Sequence, residues 1–171
     1  MVANKKRLYL AIYPSGRENE KYAFALLVGP KEEGNEKAPG TRYFIQHHHT
    51  EGWRYKTIPD DDIRVGVTLL ARIVIAKVTD EVNLIDIFKI TAINYSEQHT
   101  SSRSWVINVL LYLAEMNSKV VGTAKLSWPA VQAKALEYVQ QKHAEGRYGS
   151  GQDMTLPKPT FDLLQNKELI A

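Results

Sequence analysis

The sequence contains no cysteine among its 171 residues. This absence excludes disulfide bonds, metal sites built from thiolates and catalysis by a cysteine nucleophile. Long apolar runs are also missing, since no stretch approaches the roughly 20 consecutive residues that span a membrane. The N-terminus lacks the apolar core of a signal peptide. We therefore expect a soluble, cytoplasmic protein without a membrane span.

Charge of one sign is not concentrated anywhere along the chain. The 22 Lys and Arg residues and the 19 Asp and Glu residues give a net charge of +3, and the two signs are interspersed. The longest basic run is Lys5-Lys6-Arg7, which is too short for the electrostatic footprint of a nucleic-acid-binding surface. We expect no nucleic-acid partner.

Five apolar segments in the first half of the chain predict β-strands. Branched and aromatic residues dominate them, and several are apolar at every position, which is typical of strands covered on both faces. Turn-forming proline and glycine residues separate the segments. The predicted strands cover residues 7–13, 22–28, 41–47, 53–58 and 69–78.

Helical patterns follow the strands. A short helix is predicted from Asp80 to about Lys89 with Thr79 as its N-cap, and another begins at Ser127 and ends at Gly146. Between them lies the most apolar helical pattern of the chain, which starts after hydroxyl residues that can cap it. Its apolar face is wide, so we expect this helix to be buried at the centre of the domain. That face comprises Trp105, Val106, Val109, Leu110 and Leu113.

Strands that precede helices along a chain indicate an α+β fold. We predict a single domain over residues 1–171, because the sequence shows neither an internal repeat nor a domain boundary. An antiparallel sheet of about five strands packs on the central buried helix and on two further helices. Residues 1–6 form an N-terminal tail, and residues 147–171 form a C-terminal tail docked on the body.

Several segments resemble a group of small fungal proteins without an assigned function. Those proteins resemble the circularly permuted papain-like folds, which include the NlpC-type peptidases and the lecithin:retinol acyltransferase group. The resemblance covers the chain from about Arg7 to Ala171 and implies a permuted papain-like fold. It rests on the segments 22–30, 40–43, 101–106, 153–154 and 162–164.

In the papain-like pattern, the second strand carries a histidine followed by tryptophan, and the central helix opens with Asn-Cys. A thiolate at a helix N-terminus is a strong nucleophile when a histidine acts as its base, and the helix N–H groups can stabilise an oxyanion. Here Ala23 and Phe24 occupy the His-Trp positions, and Ser101 and Ser102 occupy the Asn-Cys positions. Alanine cannot act as a base, and serine without a base is a poor nucleophile.

The resemblance therefore implies a catalytically degenerate domain that binds in the former active-site cleft. Its ligand is a small hydrophobic or acyl-bearing molecule or a protein partner, and no cofactor is expected. Arg103 lies in the first helical turn, where a cation is unfavourable, so it either reaches away to a carboxylate or helps to bind an anion. The predicted ligand-binding residues are Tyr22, Ala23, Phe24, Tyr43, Ser101, Ser102 and Arg103.

An enzyme that uses no cysteine is the alternative. Ser102 would then work with His47 or His99, as in a serine-type hydrolase or acyltransferase or a tailoring enzyme of fungal secondary metabolism. His47 and His49 share one side of a strand and are exposed strand-end residues, cleft-lining residues or metal ligands. A metal site needs further ligands that the sequence does not place, so we predict none.

A third hypothesis is that the protein is an interaction module. It would use the charged loop at residues 31–40, which we expect to be mobile, together with the proline-containing C-terminal tail. This reading predicts a shallow cleft and a sizeable exposed apolar patch.

Overall fold

The computed structural model describes residues 5–34, 36–92, 100–116 and 119–171. Within these ranges the chain forms eight strands and three helices. No helix in the described part of the chain is both long and apolar enough to cross a membrane. The elements are β1 (Lys6–Pro14), β2 (Tyr22–Pro30), β3 (Gly40–His48), β4 (Gly52–Asp60), β5 (Ala71–Val78), α1 (Glu81–Thr91), α2 (Ser102–Glu115), β6 (Val121–Ala124), α3 (Trp128–Ala144), β7 (Thr160–Asp162) and β8 (Lys167–Ile170).

All eight strands belong to one sheet with the order β4-β3-β2-β1-β5-β7-β8, and β6 pairs with β5 beside β7. The α+β class and the five longer strands match the prediction from sequence. The size and direction of the sheet do not, because it has eight strands and is mixed: β5 and β7 run parallel. A parallel pair needs a long crossover, and here residues 79–159 supply it with all three helices.

The three short strands are not predicted by sequence patterns, for a physical reason. β6, β7 and β8 contain only three or four residues each, so they show no alternating pattern to detect. Their hydrogen bonds come from partners elsewhere in the sheet: β6 and β7 pair with β5, and β8 pairs with β7. Residues 147–171, described from sequence as a docked tail, contribute β7 and β8 to the sheet, and Lys6 is the first residue of β1.

One face of the sheet packs against the helices. Alternate residues of the central strands, such as Leu10, Leu26 and Ile73, are fully buried there with Trp105 and Phe88. α2 lies over β2 and β3, while α3 lies over β5. This helical layer buries the main apolar core of the protein.

The predicted burial of α2 is only half right. Its apolar face is buried as predicted, but Leu111 is 57 % exposed and Tyr112 is 39 % exposed. A helix of a covering layer has an outer face, so α2 is a surface helix rather than a central one. The cap of α1 also differs: the Asp80 carboxylate accepts from the Asn83 N–H at 3.1 Å, while Thr79 Oγ donates to the Lys119 carbonyl.

The opposite face of the sheet, called here the second face, is covered by loops. Its core contains Tyr9, Leu27 and Val74 from the strands and Ala38 and Ile63 from the loops around them. Two covered faces explain why β1, β2 and β5 are apolar at almost every position. The loop at residues 31–40 is therefore anchored where we expected it to be mobile.

A buried ion pair fastens this loop to the sheet. The Arg72 guanidinium is fully buried on β5, and it donates two hydrogen bonds of 2.8 Å to the two carboxylate oxygens of Glu33. It also donates to Thr160 Oγ on β7 and lies 4.8 Å from the ring centroid of Tyr9. One arginine thus joins the loop, β5 and β7.

A second buried cation holds the C-terminal segment in place. The Lys158 ammonium is fully buried and donates to the carbonyls of Gly66 and Leu69 at 2.8 and 2.6 Å. Burial lowers the pKa of Lys158, because desolvation disfavours the charged amine. Two carbonyls of the loop before β5 are therefore tied to the segment that leads into β7.

We predict that Glu33→Gln lowers the free energy of unfolding by about 3 kcal/mol, because it leaves a buried guanidinium without its counter-charge. Urea denaturation followed by circular dichroism measures this loss. Asp61→Asn is the matched control, since Asp61 is 92 % exposed and its 3.9 Å pair with Lys37 lies in water. Equal effects of the two substitutions would contradict a fastening role for Glu33.

Candidate functional site

β3 separates from β2 halfway along its length. The two strands pair only from Leu26–Tyr43 to Val28–Thr41, although both continue for several residues beyond this point. The N-terminal half of β2 and the C-terminal half of β3 therefore face each other without a shared ladder. This separation opens a gap at one corner of the sheet.

A cleft of about 350 Å³ occupies this gap, and we call it the β2–β3 cleft. Residues from both faces of the sheet reach it. By strand alternation Phe44 and Ala23 belong to the second face, whereas Ile45 and Trp53 belong to the helical face. The cleft is lined by Ser15, Arg17, Glu20, Ala23, Phe44, Ile45, Gln46, His47, Trp53 and Ser102.

The N-terminus of α2 forms the floor of the cleft. Ser101 is the N-cap of the helix, and its Oγ accepts from the Ser104 N–H at 3.0 Å while Ser104 Oγ accepts from the Ser101 N–H at 2.8 Å. Ser102 follows as the first helical residue, and its Oγ accepts from the Phe24 N–H at 3.0 Å. The hydroxyl of Ser102 thus satisfies a backbone donor of β2 that β3 leaves unpaired.

An aromatic wall stands on the other side of the cleft. Trp53 of β4 is partly buried. The His47 ring contacts it edge-on, with 5.3 Å between the two ring centroids. The Arg17 guanidinium lies 5.4 Å from the centroid of the Trp53 ring. Arg17 lies in the turn between β1 and β2, where its N–H donates to Ser15 Oγ at 3.0 Å and Ser15 Oγ donates to the Glu20 carbonyl. The turn is therefore held in a fixed conformation beside the indole.

The structure places the predicted ligand-binding residues other than Tyr43 in three locations. Ala23 and Ser102 line the β2–β3 cleft. Tyr22, Phe24 and Arg103 line a neighbouring cavity of about 250 Å³ between β2 and the helices. The side chain of Ser101 makes the capping hydrogen bond at the start of α2.

Tyr43, which was also predicted from sequence to bind the ligand, lines none of these cavities. Its ring is buried in the core, 4.9 Å from that of Phe88 between centroids. Burial also raises the pKa of the Tyr43 phenol. The physical reason is the register of β3: Tyr43 is the last residue that still pairs with β2, opposite Leu26, and the gap opens only after it.

Of the two histidines proposed as bases for Ser102, the structure describes only His47. His47 is exposed and lines the cleft with Ser102, but in the described ranges no hydrogen bond joins the two side chains. His49 lies in the turn after β3 rather than on the strand. His99 lies outside the described residues. Among the residues that the structure covers, no group of three or more His, Asp or Glu side chains could hold a metal ion.

Sequence reading missed the aromatic wall. Neither Trp53 nor Arg17 is among the residues predicted from sequence to form a site. The available signal was a tryptophan at the start of an edge strand, a position where a large aromatic side chain remains partly open to solvent. The approach of Arg17 depends on the conformation of the β1–β2 turn, which no pattern in the sequence specifies.

Comparison with known proteins assigns the chain to one family. The model of DUF6914, a family of unknown function, matches residues 5–170, so the chain belongs to that family. No curated protein and no solved structure matches the chain.

We predict that Ser101→Ala destabilises the protein by about 1 kcal/mol, because the first turn of α2 loses its capping hydrogen bond. Thermal unfolding measures the effect. Ser127→Ala is the matched control, since Ser127 is the N-cap of α3 but makes no side-chain capping hydrogen bond. A loss for Ser127→Ala as large as that for Ser101→Ala would contradict the role assigned to the capping pair.

Proposed function

We propose that the protein binds a small, partly apolar molecule in the β2–β3 cleft and does not cleave it. The observation that carries this proposal is the surroundings of Ser102. Its Oγ accepts a backbone hydrogen bond from β2, and the adjacent residue that lines the cleft, Ala23, carries no polar group. A serine needs a neighbouring base to become a nucleophile, and in the described part of the chain nothing is hydrogen-bonded to Ser102 in that role.

The shape of the cleft favours a small molecule over a protein partner. Its volume of about 350 Å³ falls within the range of roughly 300–1,000 Å³ that is usual for small-molecule sites. A concave site at the corner of a sheet offers less flat surface than a protein interface requires.

The lining residues favour a ligand with an apolar body and a polar end. Trp53 and Phe44 present aromatic surface, against which an acyl chain or an aromatic ring can pack. Gln46 and His47 are exposed and offer hydrogen-bonding groups, while Arg17 and Glu20 bring one charge of each sign to the lining. We propose an acyl-bearing or aromatic molecule with a carbonyl or carboxylate group as the ligand class.

We also propose that the fold is of the permuted papain-like type with its catalytic pair replaced. The contact between the N-terminus of α2 and β2, made by Ser102 and Phe24, supports this proposal because the resemblance aligns these positions with the family's nucleophile and with the residue after its base. By strand alternation Ala23 lies on the second face, so a histidine there would reach Ser102 only through the gap.

We predict that octanoate and 1-naphthoate bind with saturable shifts of the Trp53 indole N–H signal in two-dimensional NMR spectra. The Trp105 indole serves as an internal reference, since it is buried and donates to the Phe88 carbonyl. Trp53→Ala is expected to weaken binding about tenfold or more, because the apolar body of the ligand loses its main contact. Binding to this variant is followed by the backbone amide signals of Ala23 and His47, which line the same cleft. Tyr112→Ala is the control, as it removes an exposed aromatic ring of α2 outside the cleft.

Two results would contradict the proposal. One is the absence of saturable shifts with both probes at millimolar concentration. The other is an equal weakening by Trp53→Ala and Tyr112→Ala.

Ser102 and His47 both line the β2–β3 cleft. This observation favours a second candidate function, that of a serine-type hydrolase or acyltransferase. In that case p-nitrophenyl esters are hydrolysed, and both Ser102→Ala and His47→Gln abolish the activity. Our proposal predicts no turnover above the uncatalysed rate in the native protein. Turnover that Ser102→Ala removes would replace the binding function with the enzymatic one.

A further inference from the structure

A separate cavity opens on the second face of the sheet, where β1 approaches the turn between β7 and β8. Its volume is about 290 Å³, and we call it the Arg7 pocket. It shares no lining residue with the β2–β3 cleft. Its polar lining comes from Arg7, Tyr9, Lys31, Asp162, Gln165 and Lys167.

Arg7 is the unusual residue of this pocket. It is only 7 % exposed, and among the residues that the structure describes its guanidinium makes one hydrogen bond, from Nη1 to the Lys6 carbonyl at 3.1 Å. In the described ranges no carboxylate lies within ion-pair distance of it. A guanidinium has five N–H donors, and in the part of the chain that the structure covers no Arg7 nitrogen is fully buried without a partner, so the donors that make no protein hydrogen bond are open to solvent. Its uncommitted donors therefore favour an acceptor inside the pocket.

The acidic residues nearby do not supply that acceptor. Glu33 is held by two hydrogen bonds from the Arg72 guanidinium. Asp162 lines the pocket, but its Oδ1 accepts from the backbone N–H groups of Leu164 and Gln165 at 2.8 and 3.1 Å. Both carboxylates are thus engaged in holding loops and turns.

The Tyr9 hydroxyl does not alter the charge of the pocket. It donates to the Pro30 carbonyl at 2.8 Å, and burial raises the pKa of Tyr9 above its usual value, so the phenol stays neutral. Three cationic side chains and one carboxylate remain around the pocket, which gives it a net charge of +2.

We propose that the Arg7 pocket binds a phosphate group, either as free phosphate or as the phosphate monoester of a small molecule. The planar guanidinium of Arg7 matches two phosphate oxygens, as arginine forks commonly do. Lys31 and Lys167 add charge at the mouth, and the Gln165 side chain offers an amide donor. A phosphate dianion balances the +2 charge of the lining, which a single carboxylate would not.

The test is calorimetric titration of the full chain with inorganic phosphate, phenyl phosphate and benzoate at low ionic strength. We expect saturable binding of the two phosphates and at least tenfold weaker binding of benzoate. Tighter binding of phenyl phosphate than of inorganic phosphate assigns the pocket to monoesters, and equal binding assigns it to phosphate itself.

Two variants of pocket residues and one control variant test whether the binding occurs in this pocket. Arg7→Gln should weaken phosphate binding at least tenfold, whereas Arg54→Gln should leave it unchanged, because Arg54 is exposed on the edge strand β4. Lys167→Gln is the second test if Arg7→Gln fails to fold. Because Lys167 is exposed, this substitution should not lower the melting temperature. It should weaken phosphate binding several-fold.

The proposal is overturned if neither phosphate binds saturably. It is equally overturned if Arg54→Gln weakens binding as much as Arg7→Gln or Lys167→Gln, or if benzoate binds as tightly as phenyl phosphate.

Discussion

The hydrogen bond from the Phe24 N–H to Ser102 Oγ is the contact on which the candidate site depends. A backbone donor of an inner strand must find an acceptor, and where β3 leaves β2 the ladder no longer provides one. The first side chain of α2 provides it instead. The helix start is thereby fixed at the gap, and the same contact engages the Ser102 hydroxyl.

The two faces of the sheet differ in what covers them and in the polarity of the side chains buried there. The helical face is apolar and buries the large side chains of the three helices. The second face is covered by loops, and loops bring polar groups with them, so charged residues such as Arg7, Arg72 and Asp162 are buried on that side. Arg72 has a carboxylate partner in Glu33. In the described part of the chain Arg7 has none, and this difference is what makes its pocket a candidate anion site.

The long elements could be predicted from sequence because their patterns are local. Strands β1 to β5 were recognised by continuous apolar or alternating residues, and the ends of α3 by Ser127 and Gly146. The short strands β6 to β8 could not, because their pairing with β5 and with each other is decided by partners distant in the chain. The same limit applies to the parallel β5–β7 pair.

The candidate site was predictable in part. A polar helix start beside β2 follows from the capping residues and from the resemblance, and the structure brings Ala23, His47 and Ser102 to one cleft. The separation of β3 from β2 after Tyr43 is a property of the whole sheet, so neither the burial of Tyr43 nor the wall of Trp53 and Arg17 could be read from residue patterns. Local sequence patterns predict which types of residue stand at the helix start, and the tertiary structure decides which of them share a cleft.

We propose that the start of α2 opens into an accessible cleft, in which Ala23 stands where the papain-like pattern has its base. The most direct measurement is the rate of iodoacetamide labelling of Ser102→Cys, alone and combined with Ala23→His. Because the chain has no other cysteine, labelling reports on position 102. The account predicts labelling of the folded single variant and faster labelling when the histidine is added, since a neighbouring base raises the thiolate fraction. Labelling of both variants only upon unfolding would contradict it.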